Sequence, residues 1–81
     1  MSKRLELLQN MLKNDETDSF LYYAIAKEME SLSNFGGALE HFIHIRTNDP
    51  GYIGMYYHLG KLYEKMEEPD LALEAYTAGI N

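Results

Sequence analysis

Two stretches of this chain, residues 19–47 and 53–81, carry one pattern 34 positions apart. Tyr22 returns as Tyr56, Ile25 as Leu59, Ala26 as Gly60 and Met29 as Tyr63. Ala38 returns as Ala72, Leu39 as Leu73, Glu40 as Glu74 and Phe42 as Tyr76. A repeat of this length is one supersecondary unit that cannot bury its apolar face alone, so copies stack and share a core. Stacking creates an extended surface, which suits holding a partner better than transforming a substrate.

Apolar residues within each copy recur at helical spacing, and strand-like alternation appears nowhere. Five helices are predicted. The first runs from Ser2 to Lys13, with Leu5, Leu8, Met11 and Leu12 on one face. Asp18 or Ser19 can cap the second by accepting an otherwise unpaired backbone N–H. That helix carries Phe20, Tyr22, Ile25, Ala26, Met29 and Leu32. Asn34 caps the third, which carries Phe35, Ala38, Leu39, Phe42 and Ile45, with Gly36 and Gly37 in its first turn. Asn48-Asp49-Pro50-Gly51 is a turn, because proline cannot continue a helix and glycine tolerates unusual backbone angles. The fourth helix spans Tyr52 to Met66. Pro69 opens the fifth, where its missing N–H is not needed, and that helix runs to near Ile80. Connections this short force consecutive helices into antiparallel hairpins.

The repeat also reaches backwards. Shifted by 34, Leu5 falls on Leu39, Glu6 on Glu40, Leu8 on Phe42, Met11 on Ile45, Asn14 on Asn48 and Asp15 on Asp49. Residues 1–16 therefore read as the second helix of a truncated earlier unit. Residues 19–50 form the first full repeat and 53–81 the second. At 81 residues the whole is one small domain.

Thirteen acidic residues against seven basic ones give a net charge of −6, which opposes phosphate binding and hence nucleic acid. The chain has no cysteine, which excludes disulfides and thiolate metal sites and favours a reducing compartment, the cytoplasm. Glu6, Gln9 and Asn10 interrupt the apolar residues after Lys3 and Arg4, so no signal-peptide core forms, and no apolar run approaches a membrane span.

These residues resemble the tetratricopeptide repeat, whose pattern is W-x2-L-G-x2-Y…A-x3-F…P. The second copy reads Tyr56, Leu59, Gly60, Tyr63, Ala72 and Tyr76; the first reads Tyr22, Ile25, Ala26, Met29, Ala38, Phe42 and Pro50. The resemblance implies an all-α, right-handed stack of antiparallel helix hairpins of two and a half repeats. The small residues Ala26/Gly60 and Ala38/Ala72 fit where the helices of a hairpin approach closely, and the large residues Tyr22/Tyr56 and Phe42/Tyr76 fit as fillers between neighbours. The resemblance further implies that the first helix of each hairpin lines a concave groove. On the second helix Tyr23, Lys27 and Glu30 share one face, and they return unchanged as Tyr57, Lys61 and Glu64. Phe20 and Lys65 extend this strip. Rigid tyrosines and long lysine donors suit a peptide or protein segment of unknown identity, so the expected function is a non-enzymatic protein-interaction module. Relatives that clamp a terminal carboxylate use three hairpins and an asparagine that this strip lacks.

Repeat arrays usually end in a capping element with a polar outer face, and none follows the last helix here. Leu71, Ala75 and Ile80 are therefore expected to be uncovered. Either the chain is a fragment lacking its cap, or two chains bury these ends in a symmetric homodimer. The second alternative makes the protein a structural, self-associating module without a separate ligand.

Nothing points to catalysis or a cofactor. His41 and His44 share a face, but a stable zinc site wants a third or fourth ligand, and H-E-x-x-H is absent. Both histidines are expected on the outer face of the third helix. His58 is expected to border the groove or the packing seam as a half-buried residue. The carboxylates Glu28, Glu30, Glu64, Glu67, Glu68 and Asp70 read as solvated, without the enclosed pocket that separates the pKa values of a catalytic pair. Gly36-Gly37 lacks the lysine and hydroxyl residue of a phosphate loop.

Overall fold

The computed structural model describes residues 2–80 and is all-helical: α1 (Lys3–Asn14), α2 (Ser19–Ser31), α3 (Phe35–Asn48), α4 (Ile53–Lys65) and α5 (Pro69–Ile80). Met1 and Asn81, the ends of the predicted domain, lie outside the described residues.

Each boundary has a local cause. Ser2 caps α1 by accepting from the Leu5 N–H at 3.2 Å. Asp18 caps α2, accepting from the N–H groups of Phe20 at 2.9 Å and Leu21 at 3.3 Å. Asn34 caps α3 through the Gly37 N–H at 3.0 Å. Tyr52 precedes α4 without a side-chain cap bond; instead its N–H donates to the Asp49 carbonyl at 3.0 Å. Pro69 is the first residue of α5.

The repeat extends to the backbone. Ser33 and Glu67, 34 positions apart, are the two non-glycine residues of positive φ among those described, at 63° and 61°. Each follows a first-of-hairpin helix and reverses the chain there. Beside them Asn34 N–H donates to Met29 O at 2.8 Å, and its counterpart Glu68 N–H donates to Tyr63 O at 2.9 Å. The other type of turn recurs as well. Asp15 closes α1 with φ −149°, and Asp49 closes α3 with φ −146°. Two kinds of turn therefore alternate along the chain.

Consecutive helices pack in order, α1 on α2, α2 on α3, α3 on α4 and α4 on α5, most closely within the α2–α3 and α4–α5 hairpins. The core runs through the stack on Ile25, Phe42, Ile45, Met55, Leu59 and Leu62, none more than 1% exposed. The small residues sit at the close approaches. Ala26 and Ala38 are fully buried in the first hairpin, and a Cβ on Gly60 would lie 2.6 Å from Cδ1 of Tyr76 in the second. Leu73 departs from its repeat partner. Leu39 is half-buried, whereas Leu73 is 66% exposed, because no element among the described residues packs on the outer side of α5. Ala75 corrects the expectation of an uncovered end. It is fully buried, since Ala72, Ala75, Tyr76 and Gly79 form the stripe of α5 that faces α4. Leu71, at 40% exposure, and Ile80, at 86%, are exposed as expected.

The stack measures 34 × 25 × 14 Å over its Cα atoms. A slab so thin has room for one packed seam, and its functional surfaces are therefore its faces.

Candidate functional site

The predicted strip lies on α2 (Phe20, Tyr23, Lys27, Glu30) and α4 (Tyr57, Lys61, Glu64, Lys65), and side chains bridge the two helices at several points. Lys65 Nζ donates to Glu30 Oε2 at 2.7 Å. Lys27 Nζ donates to Nδ1 of His58 at 3.2 Å, a bond that requires that nitrogen to carry no proton. The Tyr23 ring meets His58 edge-on at 5.3 Å and tilts against Tyr52 at 5.7 Å. On its inner side Tyr23 touches Phe42 at 6.4 Å between ring centroids, so a core aromatic fixes the ring's position.

The α4 half of the strip continues onto α5. Tyr57 meets His58 at 5.2 Å and Tyr76 at 6.1 Å. Tyr76 Oη donates to Glu64 Oε2 at 2.8 Å, and Lys61 approaches that same carboxylate oxygen at 3.7 Å. At the α1 edge, Glu28 accepts from Ser2 Oγ at 2.9 Å and pairs with Arg4 Nε at 3.4 Å. Arg4, Phe20, Tyr23, Ala24, Lys27 and Ser31 border an open cleft of ≈ 340 Å³ there.

Three groups titrate away from their ordinary values. Burial and then the Lys27 charge lower the His58 pKa, while Glu30 opposes them. Burial and neighbouring Tyr52 raise that of Tyr23. Tyr76 is pushed up to about 12, first by burial and then by the Glu64 carboxylate that its hydroxyl bonds. None of the three acquires a nucleophile or an acid–base partner in an enclosed site.

Not every predicted role matches its placement. Glu30 was expected to be solvated, yet its side chain is only 11% exposed because Lys65 lies over it. Phe20 and Tyr57 do stand out, at 58% and 57% exposure. His41 and His44 are half-buried rather than on an outer face. His44 stacks on Tyr22 at 3.8 Å with planes 12° apart, and His41 Nδ1–H donates to the Gly37 carbonyl at 2.8 Å. Among the described residues no group of three or more histidine or carboxylate side chains could hold a metal ion. The roles of Arg4, Glu28 and Tyr52 were missed. Tyr52 precedes a helix and Arg4 sits in a different one, so neither shares the i, i+4, i+7 signal that marks the strip.

A larger cleft, ≈ 540 Å³, lies elsewhere, between the C-terminal half of α1 and the α2–α3 hairpin, lined by Gln9, Lys13, Tyr22 and His41 among others. It is open, and Tyr22 and His41 are already engaged with each other at 5.9 Å. The α2–α4 face is the stronger candidate because it combines exposed aromatic rings with cations of unsatisfied bonding capacity. The chain matches no protein-family model and no curated protein. No helix among the described residues is long and apolar enough to cross a membrane.

Proposed function

We propose that the protein is a tetratricopeptide-like, non-enzymatic interaction module of the cytoplasm that holds a peptide or protein segment across the α2–α4 face. The observation that carries this reading is the repeated strip itself. Tyr23 and Lys27 on α2 recur as Tyr57 and Lys61 on α4, and the side chains of both helices meet along one surface. Rigid aromatic rings beside long donors supply contact area and hydrogen bonds at small conformational cost. The 14 Å slab supports a binding role because an open face cannot exclude water from a reacting group. Tyr23→Ala combined with Lys61→Ala should abolish partner capture in pull-down while helicity by circular dichroism persists. Retention of the same partners by the double variant would remove the strip from consideration.

A second reading is favoured by the uncovered side of α5, where Leu73 and Ile80 are 66% and 86% exposed beside the partly exposed Leu71. On this reading two copies bury these residues against each other and no separate ligand exists. Leu71→Glu or Ile80→Glu should then convert a dimer into a monomer in sedimentation. A wild-type protein that sediments as a monomer at high concentration excludes it.

A further inference from the structure

The charge of this chain is unevenly distributed between its faces. The α2–α4 face and its α1 edge carry four cations, Arg4, Lys27, Lys61 and Lys65, and three carboxylates, Glu28, Glu30 and Glu64, a net +1. The remaining surface carries the other three cations against ten carboxylates, a net −7, and the two sum to the −6 of the whole chain. Those ten carboxylates sit on α1, α3, α5 and the turns; none lies on α2 or α4.

The three carboxylates of the face are also spent. Glu28 holds Ser2 and Arg4, Glu30 is covered by Lys65, and Glu64 accepts from Tyr76 Oη. The cations are not equally spent. Lys27 is exposed, and among the described residues it pairs with no carboxylate; its single partner is the neutral Nδ1 of His58. Lys61 reaches Glu64 only at 3.7 Å, with both side chains about half exposed at 48% and 52%. Pairs of that kind are screened and weak, so the ammonium remains available. Beside Lys27 stands the exposed Phe20 ring, tilted against Tyr23 at 6.5 Å, and beside Lys61, four residues earlier on α4, the exposed Tyr57 ring.

We propose that the occupant of this face is an acidic segment, whose side-chain carboxylates take Lys27 and Lys61 and whose apolar residue packs on Phe20 and Tyr23. The proposal rests on the peptide-binding reading above and names the chemistry of that peptide. A strongly acidic surround supplies the selectivity: it would draw a basic partner to the other surfaces, and the α2–α4 face, at net +1 against −7 elsewhere, is where an acidic chain meets the least repulsion. Carboxylates that replace the weak Lys61–Glu64 contact and the neutral partner of Lys27 gain charge-assisted hydrogen bonds without breaking a strong one.

The test uses the full chain and three labelled peptides of about ten residues, acetylated and amidated so that no terminal charge contributes. One places a phenylalanine among aspartates and glutamates, one among lysines and arginines, and one among serines and glutamines. Fluorescence anisotropy should show binding of the acidic peptide alone, weakened by salt, and oligothymidine should not compete. Lys27→Glu with Lys61→Glu should lower the affinity for the acidic peptide by about tenfold or more, since reversing rim charges acts directly on such contacts. Lys27→Gln with Lys61→Gln should produce a smaller loss, and both variants keep the wild-type circular dichroism because the two side chains are exposed. Equal binding of all three peptides, lost in Tyr23→Ala but indifferent to charge reversal, would overturn the acidic assignment and leave the peptide-binding reading standing. Preference for the basic peptide, or oligothymidine binding with the same lysine dependence, would likewise overturn it. Binding of none would overturn both.

Discussion

Gly60→Ala tests the close approach of α4 and α5. Gly60 is fully enclosed in α4, and a Cβ built there would lie 2.6 Å from both Cδ1 and Cζ of Tyr76. The ring cannot simply yield, because its hydroxyl is tied to Glu64 at 2.8 Å and its face to Tyr57. Forcing it aside costs about 1–3 kcal/mol by overpacking. Alanine in a helix interior returns about 1 kcal/mol relative to glycine. The net loss is then roughly 0–2 kcal/mol, too broad to interpret alone. Gly54, in the first turn of the same helix, narrows the range. Nothing lies within 4 Å of a Cβ built there, so Gly54→Ala gains the propensity term with no clash. Because Gly54 lies in the first turn, where glycine costs less than in the interior, the difference between the two variants cancels part of that gain and should fall at or below the overpacking term of about 1–3 kcal/mol. In a domain of this size that separates their melting temperatures by about 4 °C per kcal/mol or more, readily resolved by far-ultraviolet circular dichroism. The first repeat shows the escape route, since Ala26 and Phe42 occupy the matching positions and are both fully buried. Phenylalanine has no hydroxyl to anchor, so Tyr76→Phe in the Gly60→Ala background should recover part of the loss. If Gly60→Ala stabilises the fold as much as Gly54→Ala, the close approach is not there and the argument fails.

Ser33 and Glu67 hold φ near +60° without being glycine, a conformation that strains an L side chain by about 1–2 kcal/mol. Ser33→Gly and Glu67→Gly should each raise stability in urea denaturation by roughly 1 kcal/mol after glycine's entropic cost, while Ser33→Ala should not; no gain at either site would refute the strain. The pH dependence of stability follows from His58, whose pKa is lowered by burial and then by Lys27, and which also faces Glu30 and Tyr23 of α2 and Tyr57 of its own helix. Its folded pKa is lowered, so the unfolded chain binds the extra proton: stability is at its full value above about pH 6.5 and declines as pH falls from there toward the folded value. Urea midpoints measured across that window should slope in the wild type and flatten in His58→Gln; parallel slopes would assign the effect to other groups.

The fold was legible because local and repeat signals agree at the same residues. Asp18, Asn34 and Pro69 mark helix starts in the sequence and do so in the structure, and the Asn48–Gly51 run is the turn between α3 and α4. The two left-handed residues left no trace, since Ser33 and Glu67 occupy positions where glycine would have advertised the conformation. Packing partners were less legible than packing positions. The expectation of an uncovered Ala75 fails because its spacing from Ala72, Tyr76 and Gly79 puts it on the stripe facing α4. Cross-helix pairing at the candidate site was not legible at all. The distance that joins Glu30 to Lys65 spans 35 residues of chain, and only the stacking of two hairpins sets it. The burial of Glu30 under Lys65 thus belongs to tertiary structure, whereas the identity of Tyr23 with Tyr57 and of Lys27 with Lys61 belongs to sequence.

The two ends of the stack explain why one repeated pattern yields two different surfaces. Leu5, Leu8 and Leu12 of α1 occupy, two repeat lengths earlier, the positions of Leu73, Tyr76 and Ile80 in α5. In α1 this stripe packs on α2, with Leu5 and Leu8 only 7% and 8% exposed. In α5 Tyr76 turns toward Gly60 of α4, while Leu73 and Ile80, on which no element among the described residues packs, stand largely free. The apolar outer side of α5 is therefore a packing surface that no element among the described residues covers, generated by the repeat itself. The α2–α4 strip has a different origin. Apart from Phe20 its side chains carry polar groups, its carboxylates are satisfied from within, and of its retained positions Tyr23 alone leans on the core, through Phe42, while Lys27, Tyr57 and Lys61 stay exposed. Packing alone generates the first surface, and it does not by itself explain the repeated Tyr and Lys positions of the second. No residue is shared by the two sets, so charge reversal at Lys27 and Lys61 and substitution at Ile80 act on separate properties of the molecule.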